Sequence, residues 1–218
     1  MLQSLAIGVS MSRSGLLAVG FLVLQGWMPG VAQASREVRL AADSLRATAM
    51  TVGEAALAPL PFMRFCMDYG RECERAAEAG AVISLSGDTL AALDRVNRDV
   101  NRRIRPVEKS EAAGYGIWAV NPSSGGCNDY AVSKRHELIE QGYPASALLL
   151  TVARTGRGEG HLLLIVRTDR GDLVLDNLAM SIRPWDQVDY TWIKRQSAGD
   201  PMRWETISPR DRDTRIAA

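Results

Sequence analysis

Histidine is scarce in this chain, which has only His136 and His161, and no His, Cys and Glu cluster shows structural-zinc spacing. A zinc module is thereby excluded. No Gly-x-x-x-x-Gly-Lys-Ser/Thr loop occurs and no Gly-x-Gly-x-x-Gly, so neither the phosphate loop nor the dinucleotide fingerprint is present. Excess charge is also missing. Lys+Arg 26 against Asp+Glu 25 gives net +1, which leaves no electrostatic footprint for nucleic acid or an anionic membrane. Low-complexity tracts and internal repeats are absent. What remains is 46% hydrophobic and 23% charged over 218 residues, enough for one globular domain with a sizeable core.

The longest apolar run, Leu16 to Leu24, falls short of the roughly 20 residues a membrane span needs. Arg13 precedes it, and Ala32-Gln33-Ala34 closes it with small residues where a signal peptidase reads. This pattern predicts a signal peptide over 1–34, cleavage after Ala34 and export. An N-terminal arm is expected over 35–60, weakly helical and loosely docked, with the folded domain over 61–207 and a tail over 208–218.

In an oxidising compartment three cysteines are an odd set, and a leftover thiol invites a functional explanation. Cys66 and Cys73 lie seven apart. A continuous helix would hold them about 10 Å apart along its axis, beyond the roughly 7 Å that a disulfide spans. A bridge therefore needs a bend, for which Gly70 is the natural place. The alternative is two unpaired cysteines near the surface.

Ser86 offers a cap for a helix whose apolar stripe is Leu90, Leu93, Val96, Val100 and Ile104, and Pro106 ends it. Its other face, with Arg95, Arg98, Asp99, Arg102 and Arg103, reads as solvated charge. A turn-rich stretch, Glu111 to Gly126, leads to Cys127, where helical pattern resumes through Tyr130, Ala131, Lys134, Leu138 and Ile139. Gly142 and Pro144 stop that helix. Apolar runs Ala147–Ala153, Leu162–Val166 and Leu173–Leu175 follow as strands, the last two joined by a hairpin turn at 168–172. Helices first and antiparallel strands after make an α+β fold, with the Cys127 helix packed on the sheet that bears His161 and Asp176.

The chemistry sits in three blocks: Gly125-Gly126-Cys127-Asn128-Asp129-Tyr130, Gly160-His161, and Leu173-Val174-Leu175-Asp176-Asn177. A thiol at a helix start has its thiolate stabilised by the unpaired N–H groups there. His136 sits nine residues further along the same helix, about 13 Å away along its axis, out of reach of the sulfur. His161, at the start of a strand, is the base. Asp176 ends a buried strand and needs a partner; the ring N–H of His161 is the obvious one. A tight hairpin would set His161 opposite residues 178 to 180, so a bulge or wider loop is expected to bring Asp176 alongside, with Asn177 as the spare candidate. Asp169 and Asp172 read as turn residues and Glu159 as a solvated loop acid. Trp118, Trp185, Tyr190 and Trp192 read mainly as core and rim packing, with a substrate groove as the alternative. Pro184-Trp185-Asp186 and Lys194-Arg195-Gln196 read as a closing loop.

These residues resemble the bacterial transglutaminase-like cysteine peptidase family, from about Phe62 to Trp204. The likeness takes in Phe65-Cys66 with Cys73, Val96-Asn97 with Val100-Asn101, Gly126 to Ala131, Gly160-His161, Val174 to Leu178, and Trp192 to Gln196. The resemblance implies a papain-like or transglutaminase-like fold and a triad of Cys127, His161 and Asp176. It further implies a periplasmic protease acting on a protein substrate, and some relatives are calcium-dependent and release surface adhesins. The family's usual block, Gly-Asp-Cys-Glu/Asp-Asp-Tyr, places acids beside the nucleophile; here Gly126 and Asn128 stand there, so no metal or other cofactor is expected. Acyl transfer to an amine, or deamidation, uses the same triad with a different acceptor. A binding module with a relic triad is the third reading.

Overall fold

The structure, a computed structural model, describes residues 45, 47–107 and 117–209. The leader read at 1–34 lies outside the described residues, as do most of the tail and positions 108–116. In chain order come β1 (Val52–Ala56), α1 (Leu60–Asp68), a 3-10 turn (Gly70–Cys73), α2 (Gly87–Arg103), β2 (Arg105–Pro106) and β3 (Ser124–Gly125). Then follow α3 (Cys127–Glu140), β4 (Leu148–Arg154), β5 (Gly160–Thr168), β6 (Gly171–Leu175), β7 (Arg183–Pro184), β8 (Thr191–Gln196) and β9 (Trp204–Ile207).

Seven strands form one antiparallel sheet in the order β1-β9-β8-β4-β5-β6-β7. The α+β reading and the helix-on-sheet arrangement hold. One sheet face packs on α2 and α3 through Leu93, Val96, Leu138, Leu148 and Leu164; the other is covered by Met50, Trp185, Val188 and Trp192 over Leu149, Leu163 and Ile165. Burial of each such side chain is worth roughly 1.5–3 kcal/mol, and β4 to β6, covered on both sides, form the centre.

The α2 stripe is buried as its period requires, and Ser86 Oγ accepts the Thr89 N–H at 3.1 Å as its cap. Helix α1 buries Phe62 and Phe65 beside Trp118 and Trp204. It stops at Asp68, and the 3-10 turn beyond it brings Cys73 back to Cys66. The two form a disulfide with Cα atoms 5.6 Å apart, and the bend falls where Gly70 permits it.

Three expectations are corrected. Within the segment read as a weakly helical arm, residues 52–56 form an edge strand on β9. Lys194-Arg195-Gln196 belong to β8, an interior strand, where Gln196 Oε1 accepts the Leu150 N–H at 2.9 Å. Asp172 is not a turn residue: it is 2% exposed on β6, accepting from Met50 N at 2.8 Å and Arg195 Nη1 at 3.1 Å. A carboxylate there is tolerated because it is paired.

Candidate active site

The loop before Cys127 is held by backbone. β2 and β3 pair in parallel, tying the end of α2 to Ser124 and Gly125, and Tyr130 Oη donates to Ile104 O at 2.6 Å from the first turn of α3. Asp129, also in that turn, folds back over the helix start. Its Oδ2 accepts the Gly126 N–H at 2.7 Å and its Oδ1 the Ala119 N–H at 2.9 Å. This is one half of a capping box; Gly126, lacking a side chain, cannot supply the other. A Cβ on Gly125 would come within 2.4 Å of Asp129 Oδ2, so the glycine makes room for the carboxylate. Cys127 thus begins α3 half-buried, its Sγ 3.6 Å from Asn128 Oδ1, and it is the cysteine outside the disulfide.

His161 stands at the start of β5, 6% exposed. The β5–β6 ladder runs without a shift from Thr168↔Gly171 to Leu164↔Leu175. The expected bulge is absent. One residue past the last pair, Asp176 falls level with Leu163, diagonal to His161. Diagonal cross-strand neighbours are about 7–8 Å apart in backbone terms, and a long ring with a carboxylate closes that gap. His161 Nε2 and Asp176 Oδ1 are 2.8 Å apart. Cys127 acts on the same ring, its hydrogen bonding and charge both raising the His161 pKa. The structure therefore brings Cys127, His161 and Asp176 together, whereas His136 is turned away, half-buried against Glu72. Asp176, rather than Asn177, meets the imidazole, and Glu159 is exposed on its loop.

Burial alone would pull the His161 pKa down. The hydrogen bonds to Asp176 and Cys127, with their charges, outweigh it and lift the value to about 9. Burial likewise pushes Asp176 up, and the bonds and charge from His161, the Leu178 N–H and the Tyr190 hydroxyl outweigh that, bringing it to about 2. The pair is an imidazolium beside a carboxylate at neutral pH.

Sequence reasoning missed four contributors. Tyr190 Oη donates to Asp176 Oδ2 at 2.8 Å. Asn97 and Asn101, one turn apart on α2, hold the 176–180 turn: Asn101 Nδ2 donates to Asp176 O at 2.9 Å, and Asn97 Nδ2 to Ala179 O and Met180 O, each at 3.1 Å. Their signals were polarity beside an apolar stripe and their place in the family resemblance, neither of which told what they hold. Lys134, two turns after Cys127, is 1% exposed, and its burial lowers the amine to about 7 against the opposing charge of Asp176. A lysine in step with Tyr130, Ala131 and Leu138 was the visible sign. Trp118, Trp185 and Trp192 are core residues, as their packing reading had it.

The helix start offers calcium one carboxylate, that of Asp129. Both oxygens of Asp129 are engaged by backbone N–H groups, and Gly126 and Asn128 bring no carboxylate. Among the described residues no group of three or more His, Cys, Asp or Glu is placed to hold a metal ion.

A helix that starts on a half-buried thiol and packs on an antiparallel sheet is the arrangement of a transglutaminase-like thiol enzyme. The chain belongs to the bacterial transglutaminase-like cysteine proteinase family BTLCP, whose model matches residues 52–212, and it is a cysteine peptidase. Among solved structures it is similar to Legionella pneumophila LapG. The calcium-bound form has 18% identity and a TM-score of 0.47, covering 81% of this chain and 91% of that one. The EGTA-treated form has 18% identity and a TM-score of 0.44, covering 74% and 80%. No curated protein matches the chain.

Proposed function

We propose that this peptidase hydrolyses a protein substrate after export to the periplasm, with Cys127 as nucleophile, His161 as general acid and base, and Asp176 as the group that orients His161. The Cys127 thiolate attacks a peptide carbonyl carbon. The developing oxyanion takes the Cys127 backbone N–H at the helix start, where intrahelical partners are lacking. His161 passes its proton to the leaving amine as the C–N bond breaks, leaving a thioester. It then takes a proton from water, hydroxide adds to the thioester, and a carboxylic acid departs with the thiolate restored. The reaction needs no metal in this reading, because the helix-start residues do not suit calcium. A surface protein is the substrate class that the family resemblance suggests.

The observation that carries this is the 2.8 Å contact of His161 with Asp176, supported by the influence of Cys127 on the same ring. The test compares the secreted proteins of cells carrying the wild type with those of Cys127→Ala cells. New termini present only with the wild type support the reading. Identical profiles, or incorporation of a labelled amine into glutamine-bearing proteins without cleavage, would replace it with acyl transfer or a non-catalytic role.

A further inference from the structure

We infer that Tyr190 is a positioning residue of this site, holding the orienting carboxylate in the one rotation that serves the imidazole. The inference rests on the triad proposed above.

Asp176 is 1% exposed, so each of its oxygens needs a donor. Oδ1 accepts from His161 Nε2 at 2.8 Å and from Leu178 N at 3.0 Å. Oδ2 accepts from Tyr190 Oη at 2.8 Å. The phenol therefore fixes which oxygen faces the ring. Tyr190 also touches the ring itself, the two centroids lying 5.6 Å apart at 78°. It is backed in turn by Trp192 at 6.0 Å, and Trp192 by Trp185 at 5.8 Å. A row of aromatics from the far sheet face thus ends against His161. Burial first, then the charge and hydrogen bond of Asp176, hold the phenol pKa well above its ordinary value, with Arg183 opposing. The hydroxyl remains a donor wherever the enzyme works. The charged groups around this carboxylate are His161, Arg183 on the Tyr190 side, and Lys134 from α3.

The test uses iodoacetamide on the full chain and reads the alkylation rate of Cys127 against pH, so no substrate need be known. Cys66 and Cys73 are bridged and do not compete. A thiolate–imidazolium pair gives a plateau whose upper limb is the loss of the His161 proton. In Tyr190→Phe the ring stays and the donor goes, and the upper limb is expected to move down by about half a unit to one unit, less than the roughly one to two units of a hydrogen bond to a charged group because the effect reaches His161 through the carboxylate. In an Asp176→Asn background the same change should have no further effect, because Tyr190 acts through that carboxylate. An upper limb unmoved or raised in Tyr190→Phe, with an unchanged melting curve, overturns the inference. So does an equal shift in both backgrounds. A wild type that shows one ordinary thiol titration instead of a plateau refutes the triad itself, which is a distinct result.

Discussion

Asp176 reaches His161 diagonally across the β5–β6 hairpin, Oδ1 to Nε2 at 2.8 Å, from one residue beyond the last ladder pair. The contact depends on where β6 ends. Asp176→Asn keeps the shape but loses the charge and the control of tautomer, so kcat is expected to fall roughly 100-fold or more with KM little changed. Steady-state kinetics on a cleaved substrate check this. A drop confined to KM would count against an orienting role.

The same pair sets a pH window for stability. The His161 pKa is raised in the folded state, from 6.5 to about 9, so its contribution is full below 6.5 and is lost as pH rises through 9. Asp176 is lowered, from 3.8 to about 2, so its contribution is full above 3.8 and is lost as pH falls through 2. Melting temperatures of wild type and His161→Ala should therefore converge between pH 6.5 and 9. A constant gap over that range would contradict the assignment.

Chelation should leave turnover intact, since Asp129 spends both oxygens on backbone N–H groups. Asp129→Ala strips two acceptors from the helix start and is expected to cost roughly 2–4 kcal/mol, about 1–2 for each orphaned donor. Activity abolished by EGTA and restored by calcium would show that the metal-free reading is mistaken.

Glu72 and Arg135 form a buried pair, with Arg135 donating at 2.8 Å to both the carboxylate and the carbonyl of Glu72. Removing one partner strands the other, at about 3–5 kcal/mol. Glu72→Gln should lower the melting temperature by roughly 10 °C on the usual scaling for this size. A shift of one or two degrees would mean that the pair adds little.

Lys134 gives the opposite sign. Its folded pKa of about 7 lies below the ordinary 10.5, so between those values the unfolded chain holds a proton that the folded one lacks, and stability rises with pH. Lys134→Met should therefore stabilise the protein most below pH 7 and progressively less towards pH 10, as read from urea midpoints. A pH-independent difference would rule out this origin.

The α+β class and the cysteine helix were legible from apolar period and cap chemistry, because local residues decide them. The edge strand at 52–56 was not, since Val52-Gly53-Glu54-Ala55-Ala56 has no alternation and only its two ends are partly covered. Asp172 looked like a turn acid because its partner, Arg195, lies 23 residues on. The reach of Asp176 to His161 was readable as a need for a partner. Its route, past a strand end and without a bulge, depended on ladder register, which spacing alone does not specify.

The Cys66–Cys73 link closes a loop of seven-residue separation, and Glu72, one position before its second sulfur, grips the middle of α3 through Arg135. Dithiothreitol would open that loop and, through Glu72 and Arg135, is expected to slacken α3 from behind. The bridge at Cys66–Cys73 and the thiol at Cys127 thus ask opposite things of a reductant, one to stay oxidised and the other reduced.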